Sequence, residues 1–198
     1  MSLSELEQLK HQHAMQVLET ADLIYSAEQI DASLDLLAEQ INSQLASTKQ
    51  PVLVMPVMNG GLVLSGQLVT RFKFPLFIDY LHATRYRGET TGSQLHWKTR
   101  PQHSLAGQTL LIIDDILDEG YTLQAVLDYC REEGAAAVYS VVLVEKNHPR
   151  DKASVKADFT GLYVEDRYVF GFGMDYKGYH RNLNGIYALT EEAAFHAG

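Results

Sequence analysis

Apolar residues recur at helical intervals in two early stretches of the chain. From Leu3 to about Thr20 the sequence is largely polar, with Leu6, Leu9, Met15 and Leu18 at helix-like intervals, and their spacing predicts a helix packed through one stripe. Residues 23–25 (LIY) form a short extended candidate. Ser26, with Gln29 three residues on, predicts a capping box. Ile30, Leu34, Leu37, Ile41 and Leu45 fall on one face of the helix that box opens. The pattern then changes. PVLVMPV (51–57) is a continuous apolar run, as a strand buried on both faces requires. Asn59-Gly60-Gly61 turns the chain into LVLSGQLVTRF (62–72), a predicted helix. PLFIDYLHA (75–83) reads as the next strand and LLIID (110–114) as a third. TLQAVLDYCREEG (122–134) reads as a helix stopped by Gly134, and AAAVYSVVLVEK (135–146) as a fourth strand. DFTGLYV and DRYVFGFGMD then suggest short strands of a final layer.

Strands that alternate with helices predict an α/β fold: an open, mostly parallel twisted sheet flanked by helices. Residues 84–101 (TRYRGETTGSQLHWKTRP) are polar, carry no core pattern and are expected to form a long mobile loop or a flexible ribbon. No repeat, low-complexity tract or linker divides the chain, so 1–198 is expected to be a single domain, with 1–20 as an N-terminal helical extension. At 46% apolar composition the chain can fill a sizeable core. Net charge of −9, with no basic block longer than a pair, argues against nucleic acid or an anionic membrane as a partner. The one cysteine, Cys130, excludes an internal disulfide and is expected to be a small buried apolar residue. The N-terminus lacks a signal-peptide pattern and no apolar run approaches 18 residues, so a cytoplasmic protein is expected. The eight histidines lack metal-ligand spacing, and His11, His13 and His148 are expected on a solvated surface.

The candidate chemistry lies in IIDDILDEGYTL (112–123). A buried strand runs into Asp114 and Asp115; Asp118 and Glu119 follow, then Gly120, Tyr121 and Thr122 at the start of a helix. A strand-to-helix turn presents bare amides to a phosphate, and the Thr122 hydroxyl adds a donor. Carboxylates crowded there need a second task. Adjacent acids accept hydrogen bonds from vicinal hydroxyls and from the water shell of Mg²⁺. The ligand that suits both is a ribose with a phosphate at one end and a metal-bound pyrophosphate at the other. In a parallel sheet such a ligand sits beyond the carboxyl ends of the strands, where Asn59–Gly61, Asp114–Thr122 and Lys146 would gather.

This stretch resembles the phosphoribosyl pyrophosphate signature of type I phosphoribosyltransferases. VMNGG (57–61), ATRYRGETTG (83–92), EKNHPR (145–150) and RYVFGFGMDYKGYHRNL (167–183) are similar, in order, to the pyrophosphate loop, mobile loop, purine lysine and purine pocket of that family's hypoxanthine-guanine branch. The likeness spans roughly residues 22–190 and implies the family fold, with a small hood formed by terminal segments. It implies transfer of a phosphoribosyl group to hypoxanthine or guanine, with Mg²⁺ as cofactor, nucleoside monophosphate as product and a homo-oligomer, dimer or tetramer. The order of preference between the two bases, or xanthine, stays open. The alternative is a non-catalytic sensor of phosphoribosyl pyrophosphate or nucleotide.

Position by position, the resemblance implies that Asp114 and Asp115 accept from the ribose hydroxyls and that Asp118 is the general base for purine N7. The amides of 118–122, including Glu119, Gly120 and Tyr121, hold the 5′-phosphate together with Thr122. Asn59, Gly60 and Arg181 bind pyrophosphate; Arg85 and Tyr86 ride on the lid. Lys146 donates to the 6-oxo group, Tyr168 stacks on the base and the Val169 backbone reads its edge. Asp175 lines the purine site and binds Mg²⁺ directly, with Asp114 and Asp115 acting through water. Two departures stand out. Glu119 replaces a threonine, so its side chain must point away from the phosphate, and Asn59 replaces a lysine. The family's cis peptide in that loop would here be Met58–Asn59.

Overall fold

The computed structural model describes residues 3–85, 95–150 and 153–190. The elements run α1 (Leu3–Thr20), β1 (Asp22–Tyr25), α2 (Ala27–Leu45), β2 (Val52–Pro56), α3 (Gly61–Val69), β3 (Leu76–Ile78), β4 (His82–Arg85) and β5 (Leu95–Thr99). They continue as β6 (Thr109–Leu117), α4 (Tyr121–Glu132), β7 (Ala137–Asn147), β8 (Phe159–Glu165), β9 (Val169–Phe170) and β10 (Ile186–Ala188). Five strands form a parallel sheet in the order β3-β2-β6-β7-β8. β2 is buried along its whole length, as its unbroken apolar run requires. From β2 the chain crosses through α3 to β3 at one edge; from β6 it crosses through α4 to β7 on the other side. Strand order therefore reverses between β2 and β6, and the crevice at their carboxyl ends is the place where such sheets bind ligands.

Each face of the sheet has its own core. On one, Ile30, Leu34, Leu37, Ile41 and Leu45 of α2 and Leu64 and Leu68 of α3 pack against Val52, Val54, Leu111 and Ile113. On the other, Leu123, Val126, Leu127 and Cys130 of α4 cover Leu53, Met55, Leu110 and Ile112. Cys130 is fully buried and its thiol is pushed up to about 12 by burial, which leaves it a small apolar filler. The capping box opening α2 is formed: Ser26 Oγ accepts from Gln29 N–H at 3.4 Å and the Gln29 side chain accepts from Ser26 N–H at 2.9 Å. A three-stranded antiparallel hood, β1-β10-β9, is assembled from the two ends of the chain.

Three expectations change. The first helix forms over Leu3–Thr20, but Leu6, Leu9 and Met15 are exposed while Ala14 and Val17 are buried. It docks through Val17, clustered with Phe170, Tyr176 and Leu189, and through two polar contacts: His13 and the Tyr176 hydroxyl share a hydrogen bond of 2.8 Å, and a ring nitrogen of His180 donates to the Ala14 carbonyl at 2.7 Å. Of the expected stripe, Leu18 packs against this cluster and the other three are exposed. The stretch 75–83 is two elements. β3 follows β2 for three residues, then buried Asp79 accepts from the backbone N–H of Tyr80, Gln102 and His103, each at 2.8 Å, and ties the chain to the segment after β5. Beyond it, β4 and β5 pair as an antiparallel ribbon, one of the two forms expected for 84–101. Lastly, 158–164 is not part of a final layer: β8 is the parallel edge strand of the main sheet, paired with β7. Gly161 lets α2 lie against it, since a Cβ there would sit 2.7 Å from Ser33 Oγ.

Candidate active site

At the switch point, β6 carries Asp114 and Asp115 toward its carboxyl end, both half-buried. Asp114 accepts from Asp115 N–H at 3.0 Å, and Asp115 from Ile116 N–H at 2.8 Å. Burial, and then the neighbouring Asp115 charge, push Asp114 well above the usual carboxylate range. Burial also raises Asp115, against the opposing pull of its hydrogen bonds and of Arg181. These acids want donors or a cation.

Across the crevice, the end of β2 turns through a cis Met58–Asn59 bond, as the resemblance implied. Gly60 and Gly61 are there for closeness. A Cβ on Gly60 would stand 2.0 Å from Asp115 Oδ2, and one on Gly61 2.3 Å from the Ile113 carbonyl. The hood presses on the same turn, because a Cβ on Gly173 would lie 2.3 Å from the Gly60 carbonyl. Gly120, with φ of 80°, caps α4, whose first turn lines the cavity and carries amides without a partner inside the helix. Glu119 points to Arg150, with an oxygen 3.3 Å from Nη1, so its charge has a partner other than a ligand phosphate.

Asp118 is surrounded by cations. Lys146 Nζ donates to its Oδ2 at 2.9 Å, and Arg150 Nη2 to its Oδ1 at 2.7 Å; His148 Nε2 stands 2.9 Å from Oδ1. Burial pushes Asp118 up, but Lys146, Arg150 and His148 outweigh it and hold the carboxyl below its usual range. From the hood, Tyr168 stands half-exposed with its hydroxyl donating to the Asp175 carbonyl at 3.2 Å. Its ring is held edge-on by buried Tyr176, centroids 5.7 Å apart. Arg181 donates to Asp175 Oδ1 at 2.6 Å and to the Gly173 carbonyl at 2.5 Å.

These groups frame two adjoining cavities. The first, about 570 Å³, is lined by Asn59, Gly60, Thr84, the stretch 114–123, Asp175 and Arg181. The second, about 560 Å³, is lined by Lys146, Asp166, Arg167, Tyr168, Val169 and Met174. Asp115, Ile116, Asp118, Arg150 and Asp175 line both. Every expected site residue within the described part thus reaches one cavity or the other, with one qualification. Arg85 lies on β4, but its side chain and the whole of Tyr86 fall outside the described residues.

Two residues escaped the sequence reading. His148, expected on a solvated surface, is buried, and Arg150 was given no role, yet both meet Asp118. The signal was their position just beyond a buried strand: they follow Lys146 to Asp118, with Arg150 lining both cavities.

A helix N-terminus, two half-buried neighbouring acids and an aromatic-lined cavity meet around one carboxylate, and the model of the phosphoribosyl transferase domain matches residues 21–177. The hypoxanthine-guanine phosphoribosyltransferase of Bacillus subtilis is 31% identical over 168 residues, 84% of this chain and 92% of that protein. That of Aquifex aeolicus is 27% identical over 170 residues, 85% and 94% of the two chains. The hypoxanthine phosphoribosyltransferase of Staphylococcus aureus superposes with a TM-score of 0.79 at 26% identity, covering 86% of this chain and 92% of that one. A Trypanosoma cruzi hypoxanthine phosphoribosyltransferase variant, captured as a ternary substrates complex, shares the fold with a TM-score of 0.82, covering 89% and 99% at 24% identity. The chain belongs to the phosphoribosyltransferase family, in its hypoxanthine-guanine branch.

Proposed function

We propose that the chain transfers the phosphoribosyl group of phosphoribosyl pyrophosphate to N9 of hypoxanthine or guanine, giving the nucleoside monophosphate and pyrophosphate. The observation that carries this reading is the shared wall: the phosphate-side cavity and the aromatic cavity meet at Asp118. In the first cavity the amides of the Asp118–Thr122 turn take the 5′-phosphate, Asp114 and Asp115 take the ribose hydroxyls, and Asn59, Gly60 and Arg181 face the pyrophosphate. In the second, Tyr168 stacks on the base, the Val169 backbone reads its edge and Lys146 turns from Asp118 to the 6-oxo group. An adenine amino group offers Lys146 no acceptor of that kind.

As the C1′–pyrophosphate bond breaks and the C1′–N9 bond forms, the N7 proton passes to Asp118, general-base work worth about 10²–10⁴-fold. The developing ribosyl cation would react with water, so the ribbon carrying Arg85 and Tyr86 has reason to close over it.

No cluster of three or more metal-ligating side chains occurs among the described residues, but Asp114, Asp115 and Asp175 supply hard oxygen donors to one cavity. That set fits Mg²⁺, which keeps waters and takes further oxygens from a pyrophosphate. Asp175 would be its direct protein ligand and the other two would act through water. The ion would neutralise charge on the leaving group. The reading includes a cytoplasmic homo-oligomer, dimer or tetramer, and exposed Leu62, Phe77 and Ile78 offer apolar surface for one; sedimentation tests it.

The test supplies protein, Mg²⁺ and phosphoribosyl pyrophosphate with hypoxanthine, guanine, xanthine and adenine in turn. Nucleotide is expected from the first two and not from adenine. Asp118→Asn should lose about 10²–10⁴-fold in kcat with nucleotide affinity largely kept. Full turnover by that variant ends the base assignment.

A further inference from the structure

His148 has no task in this scheme, yet its surroundings are unusual. The residue is 8% exposed and its ring is fully enclosed. Neither ring nitrogen has a hydrogen-bond partner among the described residues, although Nε2 lies 2.9 Å from Asp118 Oδ1. The approach is close but off the line of a hydrogen bond. A buried imidazole without partners is costly, and such exceptions need a reason. We propose that His148 is a positioning residue for the general base: its enclosed ring holds Asp118 toward purine N7.

Two contacts bear on the two oxygens of Asp118 differently. Oδ2 is taken by Lys146, which the proposed function sends to the purine. Oδ1 faces Arg150 and His148. Arg150 is also drawn elsewhere, to Asp166 at 2.8 Å and Glu119 at 3.3 Å, and its side chain is 42% exposed. Once Lys146 turns away, His148 is the enclosed neighbour left beside the carboxylate. A rotation that aligns Nε2 with Oδ1 would then satisfy both.

The charged groups facing this pair are Lys146 on β7, Arg150 beyond it, Glu119 beside Asp118, and Asp166 through Arg150. Of these side chains and His148, the His148 ring is the one with no solvent exposure.

The inference rests on Asp118 being the base, so the experiment separates the two. Steady-state kcat and kcat/KM for the purine are recorded for wild type, His148→Gln, His148→Leu and Asp118→Asn, with circular dichroism to verify folding. Gln keeps a donor at the Nε2 position and should keep kcat within about 3-fold of wild type. Leu should lower kcat about 10-fold with little change in KM for phosphoribosyl pyrophosphate. A Leu variant with wild-type kcat overturns the inference. So does a Gln variant as impaired as Leu, because the role would then be packing. If Leu does not fold, His148→Met, which also lacks the donor, takes its place. If Asp118→Asn keeps full turnover, the base reading has failed, and this inference with it.

Discussion

Alanine at Gly60 and at Gly66 should act in opposite directions, for reasons local to each site. Both residues belong to the turn and helix that follow β2, and Gly60 already has helical φ and ψ of −59° and −49°. Alanine therefore meets no backbone objection at either position. Space decides. Around Gly66 nothing lies within 4 Å of a built Cβ. Gly66→Ala should stabilise by about 0.5–1 kcal/mol, the ordinary helix-interior difference, and raise Tm by about 1–4 °C. At Gly60 the new methyl would fall 2.0 Å from Asp115 Oδ2 and 2.4 Å from its Cγ, so the carboxylate must swing out. That abandons its bond from Ile116 N–H and moves the acceptor proposed for the ribose. Losing one hydrogen bond to a charged group costs about 1.5–3 kcal/mol, or about 10- to 150-fold in affinity. Initial-rate kinetics should show KM for phosphoribosyl pyrophosphate rising by that factor while KM for the purine changes little. A Gly60→Ala enzyme with wild-type KM for phosphoribosyl pyrophosphate would refute the role assigned to Asp115.

The acids at the end of β6 set further expectations. Asp114 is raised by burial, so between its ordinary value of 3.8 and its folded value the native state binds the extra proton. Stability contributed by this group therefore falls as pH rises through that window. Asp114→Asn should raise the Tm of the ligand-free protein at pH 7.5, gain less at pH 4, and bind phosphoribosyl pyrophosphate more weakly; a lowered Tm at pH 7.5 contradicts this. Asp118 runs the other way. Its folded value is depressed, so its stabilisation is present above 3.8 and is lost as pH falls through the folded value. Asp118→Asn should flatten the acid limb of a stability-against-pH curve, measured by urea melts. Away from the site, Ser26→Ala removes the capping box and should cost about 1 kcal/mol, read from chemical denaturation with turnover unchanged.

Much of the fold could be read from the chain because local signals agreed with global ones. The α2 stripe, its capping box and the β2 run each had one interpretation, and each formed. Where a side chain's partner is far away in sequence, the pattern misled. α1 is held by Val17 and by polar contacts of His13 and His180 across 163 and 166 residues, which the chosen apolar stripe missed. The run 75–83 looked like one strand, but buried Asp79 takes its donors from residues 102 and 103 as well as from its neighbour. The β6–α4 turn was legible as a strand-to-helix turn at the crevice, and the resemblance led to Lys146 and Tyr168, which line the same crevice. Arg150 and His148 were not, since a histidine followed by proline and arginine has the composition of a surface turn. Only the register of β7 beside β6, with Glu145 opposite Leu117, carries that turn to Asp118.

That register also explains how three aspartates within five residues acquire different chemistry. Asp114 and Asp115 sit at the end of β6 facing each other and the glycines of the neighbouring turn, with the nearest guanidinium, Arg181, already bonded to Asp175. Their charges are incompletely met until a ligand arrives, so donor hydroxyls or a hydrated cation gain more there than at a satisfied surface acid. Asp118 lies one turn of loop further on, where β7 delivers Lys146 and the residues after it. It is over-supplied with donors, which makes it a weak base. On the proposed function, a 6-oxopurine that recruits Lys146 would remove the strongest of these and make Asp118 more basic as the purine proton comes within reach. An adenine would not recruit the lysine in that way and would leave the carboxylate held. Discrimination between bases would then act on the proton transfer as well as on affinity, through the bond between Lys146 and Asp118.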